Sequence, residues 1–184
     1  MRRWSLFLIA VAACSDGGGT PQMCEVRTSL VDHTLWTQLA PENDPWAVEG
    51  RERCTDERMR AEPFELETSY TIETRGCSWG TVEQPALIAV RAGEPINYRM
   101  WFFSQTNFEV AQADILVALG DQPLWTQIVP LPSSEGGLRF ETIPAPRDIA
   151  AGEMLRFHVA NHGVNSWNLL EVSVSRMEPC QGGG

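Results

Sequence analysis

Three groups of residues carry side chains of the right type and spacing for chemistry. The first is Gly76-Cys77-Ser78-Trp79-Gly80, which fits the Gly-x-Ser-x-Gly pattern of a serine nucleophile held on a sharp strand-to-helix turn. Ser78, Asp148 and His158 or His162 also come one after another in the order that a serine–acid–histidine relay of that kind uses. The residues after Gly80 argue against it. Thr81-Val82-Glu83-Gln84-Pro85 is a poor helix start with a misplaced proline, and the chain lacks the strand–helix alternation of a parallel sheet. Ser78 is therefore not expected to be a nucleophile, and no catalytic residue is assigned.

The second group lies in FHVANHGVNSWN, residues 157 to 168. On a strand, positions 158, 160 and 162 share one side. His158 and His162 are thus weak candidates for a metal, with His33, Asp114 or Glu171 as third ligand. The competing reading is a strand connection at Asn161-His162-Gly163, with His158 bonded to a neighbouring strand. It is the stronger one, and no cofactor is expected. The third group uses the same stretch for recognition. His158, Asn161, His162, Asn165, Trp167 and Asn168 form a polar-aromatic cluster of the kind that holds sugars, amides pairing with hydroxyls and a ring supporting the C–H face. Arg99 and Trp101 on an outward strand face, and Trp125, extend that reading. Against it, tryptophan is commonly core, and Trp36 and Trp167 are expected there. The acidic stretch around Glu42, Asn43, Asp44 and Asp56 lacks the alternating ligands of a calcium loop.

These groups need elements to position them, and the elements read as strands. ELETSYTIET alternates with Leu66, Thr68, Tyr70 and Ile72 on one face; INYRMWFF does so with Ile96, Tyr98, Met100 and Phe102; LRFHVA with Leu155, Phe157 and Val159. DILVAL, LWTQIV and NLLEVSV add three branched, apolar runs. Gly, Pro and Ser clusters separate them, and helical periodicity is nearly absent; only 55 to 62 suggests a short helix. The expected fold is all-β, an antiparallel sandwich. Ala92-Gly93-Glu94 and Ala151-Gly152-Glu153 stand in matching contexts, VRAGEPINYRM and IAAGEMLRFHV, each a strand, a glycine turn and a strand. This region resembles jelly-roll sandwiches, including galactose-binding-like modules. Residues 54 to 174 are also similar to lipoproteins of GC-rich Gram-negative bacteria, a resemblance that brings no activity with it.

The amino terminus says where such a domain works. Arg2-Arg3, the short apolar run Leu6 to Val11 and small residues before Cys14 describe a signal peptide, the run being too short for a mature spanning helix. Val11-Ala12-Ala13-Cys14 resembles the lipobox of bacterial lipoproteins. That resemblance implies cleavage before Cys14 and lipidation there (diacylglycerol on the thiol, an acyl group such as palmitate on the amine), so that the membrane is a partner through a stable two-signal anchor. The expected organisation is a signal peptide over 1–13, a Gly-rich tether over 14–23, one β-sandwich over 24–180 and a disordered tail over 181–184. Cys24, Cys54, Cys77 and Cys180 remain, an even number in an exported chain, too widely spaced for zinc. Three pairings are open; Cys54–Cys77 with Cys24–Cys180 is preferred because domain ends often meet. The net charge of −10 falls to about −12 on loss of Arg2 and Arg3, which disfavours nucleic acid as a partner. The expectation is a lipid-anchored protein of the cell envelope, at the outer membrane, on its periplasmic side or at the cell surface. Its role is expected to be non-catalytic binding or interaction, with a glycan or an envelope protein as partner. A glycan-binding module and a metal enzyme using His158 and His162 are the alternatives.

Overall fold

The alternation in 96–102 is the easiest pattern to trace into three dimensions. Ile96, Tyr98, Met100 and Phe102 are each at most 1% exposed, while Arg99 and Trp101 between them reach the other face. The computed structural model describes residues 22–180 apart from 106, 108, 134, 135 and 162. The expected signal peptide, nearly all of the tether, the tail and His162 lie outside the described residues.

The described strands are β1 (Met23–Ser29), β2 (Thr37–Gln38), β3 (Met59–Phe64), β4 (Glu67–Glu73), β5 (Trp79–Pro85), β6 (Pro95–Phe102), β7 (Ala111–Leu119), β8 (Gln122–Leu131), β9 (Gly137–Pro144), β10 (Met154–Asn161) and β11 (Ser166–Pro179). They form two antiparallel sheets, the all-β sandwich that the alternation predicts and of the jelly-roll-like kind that the resemblance implies. One has the order β3-β4-β11-β6-β9, with β1 paired to the far end of the long β11; the other has the order β2-β5-β10-β7-β8. The inner faces meet in one apolar core. Trp36, Tyr98, Trp125, Phe157 and Trp167 lie in it, Tyr98 and Trp125 stacked with ring centroids 5.5 Å apart.

Two details differ from expectation. Residues 55–62 are not a helix: a 3-10 turn covers Asp56–Arg58 and β3 begins at Met59. Met59 and Ala61 pair with Ile72 and Tyr70 of β4, so burial along a strand outweighs the modest helical propensity of this segment. Leu66 does not face inward with Tyr70 and Ile72. It sits at full exposure in the two-residue turn between β3 and β4, where Glu65 takes a φ of 53°.

Both disulfides have the preferred pairing, Cys24–Cys180 and Cys54–Cys77. The echo between the two Ala-Gly-Glu turns also has a physical basis. Gly93 and Gly152 adopt φ of 83° and 87°, which glycine reaches without strain. Glu94 accepts a hydrogen bond from the Arg91 N–H and Glu153 one from the Ala150 N–H, each three residues back. Each glutamate then pairs with an arginine, Arg176 or Arg147. The Arg176 bonds, with the Arg91 N–H, hold the Glu94 carboxyl down at about 2. The turns lie side by side, joined by reciprocal backbone bonds between Val90 and Ile149.

Candidate functional site

Ser78 closes the loop before β5, and the element after it is a strand, not a helix. Cys77 is tied to Cys54, the Ser78 N–H donates to Glu52 O, and Ser78 O accepts from the Asn161 N–H. The five-residue motif is the entry to β5, fastened on three sides. A nucleophile elbow needs the opposite, a serine standing free between strand and helix.

Of the residues grouped around 157–168, those described are not gathered at one opening. β10 belongs to one sheet and β11 to the other, so the chain changes sheets between Asn161 and Ser166. His158 lies on the outer face of the five-stranded sheet and Asn168 on the outer face of the six-stranded one. Trp167 is fully buried, its ring 5.2 Å from that of Phe102. Asn161 and Asn165 are buried as well: Asn161 Nδ2 donates to Thr74 Oγ1 at 2.7 Å, the Asn165 backbone N–H donates to the same hydroxyl, and Asn165 Nδ2 donates to Asn161 Oδ1. Asn168 accepts from Thr71 Oγ1 and donates to the Trp101 carbonyl. These amides are occupied in holding the turn and the sheet.

The two described histidines are likewise engaged. His33 donates from Nε2 to Leu170 O at 3.0 Å and accepts at Nδ1 from the Trp36 indole at 3.2 Å, which uses both ring nitrogens. Among the described residues no group of three or more His, Cys, Asp or Glu is arranged to hold a metal. His158 lies beneath a strap formed by the residues before Cys54. Its Nδ1 is 2.6 Å from Thr81 Oγ1, the Trp46 and Trp79 rings flank it, and buried Asp44 is the nearby carboxylate. Burial pushes the His158 imidazole down to about 4, and Asp44 offsets only part of that shift. The folded state thus resists a proton that the unfolded chain accepts near the ordinary histidine value. Stability is therefore full at neutral pH and falls as pH drops through that window, by roughly 3 kcal/mol once pH 4 is reached. His33, also pushed down by burial, adds in the same direction. Urea titrations at neutral and mildly acid pH will show this loss, and His158→Gln, which keeps a group able to bond Thr81, will reduce it.

The outer face of the six-stranded sheet has a different character. Register places Asn97, Arg99 and Trp101 of β6 beside Thr142, Phe140 and Leu138 of β9. On the other side of β6 stand Ser173, Glu171 and Asn168 of β11, with Arg27 of β1 opposite Ser175. A ladder of side-chain hydrogen bonds crosses four strands: Thr142 Oγ1 to Asn97 Oδ1 at 2.7 Å, Asn97 Nδ2 to Ser175 Oγ at 2.8 Å, and Ser175 Oγ to Glu25 Oε1 at 2.7 Å. Two bridges span the face. The Arg27 guanidinium of β1 lies 5.4 Å from the Phe140 ring centroid of β9, and the Phe64 ring of β3 lies 5.8 Å from that of Trp101 on β6. In each pair the backbones are three strand spacings apart, about 14 Å, so these side chains lean in over the strands between them. At the Arg27–Phe140 bridge lies a cleft of about 400 Å³, lined by Glu25, Arg27, Asn97, Phe140, Thr142 and Ser175 among others. Phe140 is half exposed there. A larger cleft of about 830 Å³ opens by Arg51, Glu109, Gln112 and Asp114, with no aromatic ring among the residues lining it.

Arg99 and Trp101 were legible in the sequence as outward residues. Glu25, Arg27, Phe140 and Thr142 were not, because β1 and β9 are exposed on much of both faces and show no clean period. The signal available in GLRFETIP is the alternation of Leu138 and Phe140 with Arg139 and Glu141.

No family model matches this chain, and no curated protein does. Solved structures that superpose on it include a mannan-recognising carbohydrate-binding module, TmCBM27, at a TM-score of 0.48 and 8% identity over 86% of this chain and 99% of that one. The K3 cleaved adhesin domain of Lys-gingipain from Porphyromonas gingivalis w83 superposes at 0.44 and 10% identity, covering 77% and 91%. The α-L-arabinofuranosidase MgGH51 does so at 0.46 and 10% identity over 80% of this chain, which spans only 26% of that enzyme.

Proposed function

We propose that this chain is a lipid-anchored protein of the cell envelope whose β-sandwich is a non-catalytic glycan-binding module, with the outer face of the six-stranded sheet as its binding surface. The observation that carries the reading is the Glu25–Ser175–Asn97–Thr142 ladder ending beside the half-exposed Phe140 ring. Sugars present hydroxyls that donate and accept at close intervals, around a ring whose C–H faces are apolar. The accessible Glu25 carboxylate and the Ser175 and Thr142 hydroxyls, held in a row by the buried Asn97 amide, meet the first need. An aromatic face, negative at its centre, meets the second. The ladder is organised before any ligand arrives, which lowers the ordering cost of binding.

Phe140→Ala will weaken retention in affinity gels containing polysaccharide by about tenfold, the equivalent of about 1.4 kcal/mol, with thermal stability little changed. A wild-type protein that binds nothing on a broad glycan array will refute the reading. The anchor has its own measurement. Cys14→Ser will abolish incorporation of labelled palmitate and move the protein from the membrane fraction to the soluble one. Retention in the membrane with no label lost will overturn the lipidation.

A further inference from the structure

We infer that the ligand of this face is an uncharged glycan chain lying along β6, rather than a polyanionic polysaccharide or a single sugar. The inference rests on the glycan reading and adds its chemical class. The first argument is charge. Arg99 is held between Glu67, which it contacts, and Glu171, 2.9 Å from its Nε. Arg27 lies 3.3 Å from Glu25 and 4.0 Å from Glu171. Arg60 pairs with Glu62 at 3.0 Å and approaches Glu73 at 3.7 Å. Each of these arginines already has carboxylate partners, and Glu171 and Glu73 each serve more than one. A uronate or sulfate would have to take an arginine from its glutamate and then sit beside that glutamate, in a chain with a net charge of −10. Like charges at such spacing repel, and no unspent positive charge on these three arginines compensates. Uncharged hydroxyls meet no such obstacle; the paired groups still offer donors and acceptors on their outer sides.

The second argument is extent. Phe140 stands opposite Arg99, and Trp101 is two residues further along the same strand, about 7 Å on. Beyond it Phe103, 64% exposed, packs edge-on against Trp101 at 5.9 Å, and Phe64 closes on Trp101 from the other side. The face therefore carries two aromatic stations in line with the strands, with Arg99 and the ladder between and beside them. One sugar ring covers one station. A run of linked sugars covers both, and it gains from the second as an effectively intramolecular contact.

The test uses the folded, disulfide-bonded domain in gels containing uncharged linear polysaccharides or uronate- and sulfate-bearing ones, each at low and high salt, with competition by oligosaccharides of increasing length. The expected result is retention by an uncharged polymer, unchanged by salt, with competition improving at least tenfold from monosaccharide to short chain. Trp101→Ala should remove most of that gain in length. Retention confined to polyanions and lost at high salt overturns the inference while leaving a glycan-binding protein. A monosaccharide that competes as well as a chain does the same. Failure of the wild type to bind any glycan removes the underlying reading and this inference with it.

Discussion

Trp167→Ala will lower the unfolding free energy of the domain by about 3–5 kcal/mol, among the largest effects available to one substitution here. Trp167 is fully buried in β11, opposite Phe102 of β6 and Ile72 of β4, so its loss opens a cavity between three strands of the six-stranded sheet. Neighbours that are themselves β-sheet core cannot collapse into that space, which places the cost above the simple transfer term. Trp167→Phe should recover much of it. Among the described residues the buried indole N–H has no partner, so removing it relieves an unmet hydrogen bond while keeping an aromatic ring. Guanidinium denaturation of the two variants measures both numbers. Whatever Trp167→Ala protein remains folded should bind glycan at wild-type strength. Lost binding at unchanged stability would mean that this ring is a ligand platform, and the face around Phe140 would lose its claim.

Trp167 also marks where the sequence is readable and where it is not. INYRMWFF and LRFHVA alternate because each turns one apolar face to the core, and their inward residues are the ones the pattern names. An even cysteine count left three pairings open, and the frequent meeting of domain ends favoured the one the structure has. Asn161, Asn165, Trp167 and Asn168 look like a binding cluster because recognition and structure use the same residue types. An amide that anchors a turn to Thr74 is indistinguishable in sequence from one awaiting a sugar hydroxyl. The change of sheet between β10 and β11 separates them, a tertiary fact with no local period. The cleft is harder still. Its members come from β1, β6, β9 and β11, the first and third of them edge strands whose two faces are both partly wet. Only the register of strands distant in sequence brings Glu25 to Ser175 and Arg27 to Phe140.

That dependence gives the second large effect. Replacing Cys24 and Cys180 together with serine will cost about 5 kcal/mol by the chain-entropy relation, because the bond closes a loop of 156 residues. The same relation gives about 3 kcal/mol for Cys54–Cys77, with a separation of 23. The Cys24–Cys180 variant should therefore be the less stable of the two. The longer bond also has a local task. β1 pairs with β11 alone, at the end of the sheet, and Cys24 enters it next to Met23, where an unfastened strand would fray first. Glu25 and Arg27 come directly after it and supply one wall of the cleft. Losing the bond should therefore weaken glycan binding under conditions where the rest of the sandwich stays folded. Hydrogen exchange will find amides of β1 unprotected before those of β6 or β10. Breaking Cys54–Cys77 releases the strap over His158 on the opposite sheet and should leave binding intact. If both double variants lose binding in proportion to stability alone, β1 has no part in the site; if only the Cys24–Cys180 variant loses it beyond that proportion, the wall formed by Glu25 and Arg27 is part of the binding surface.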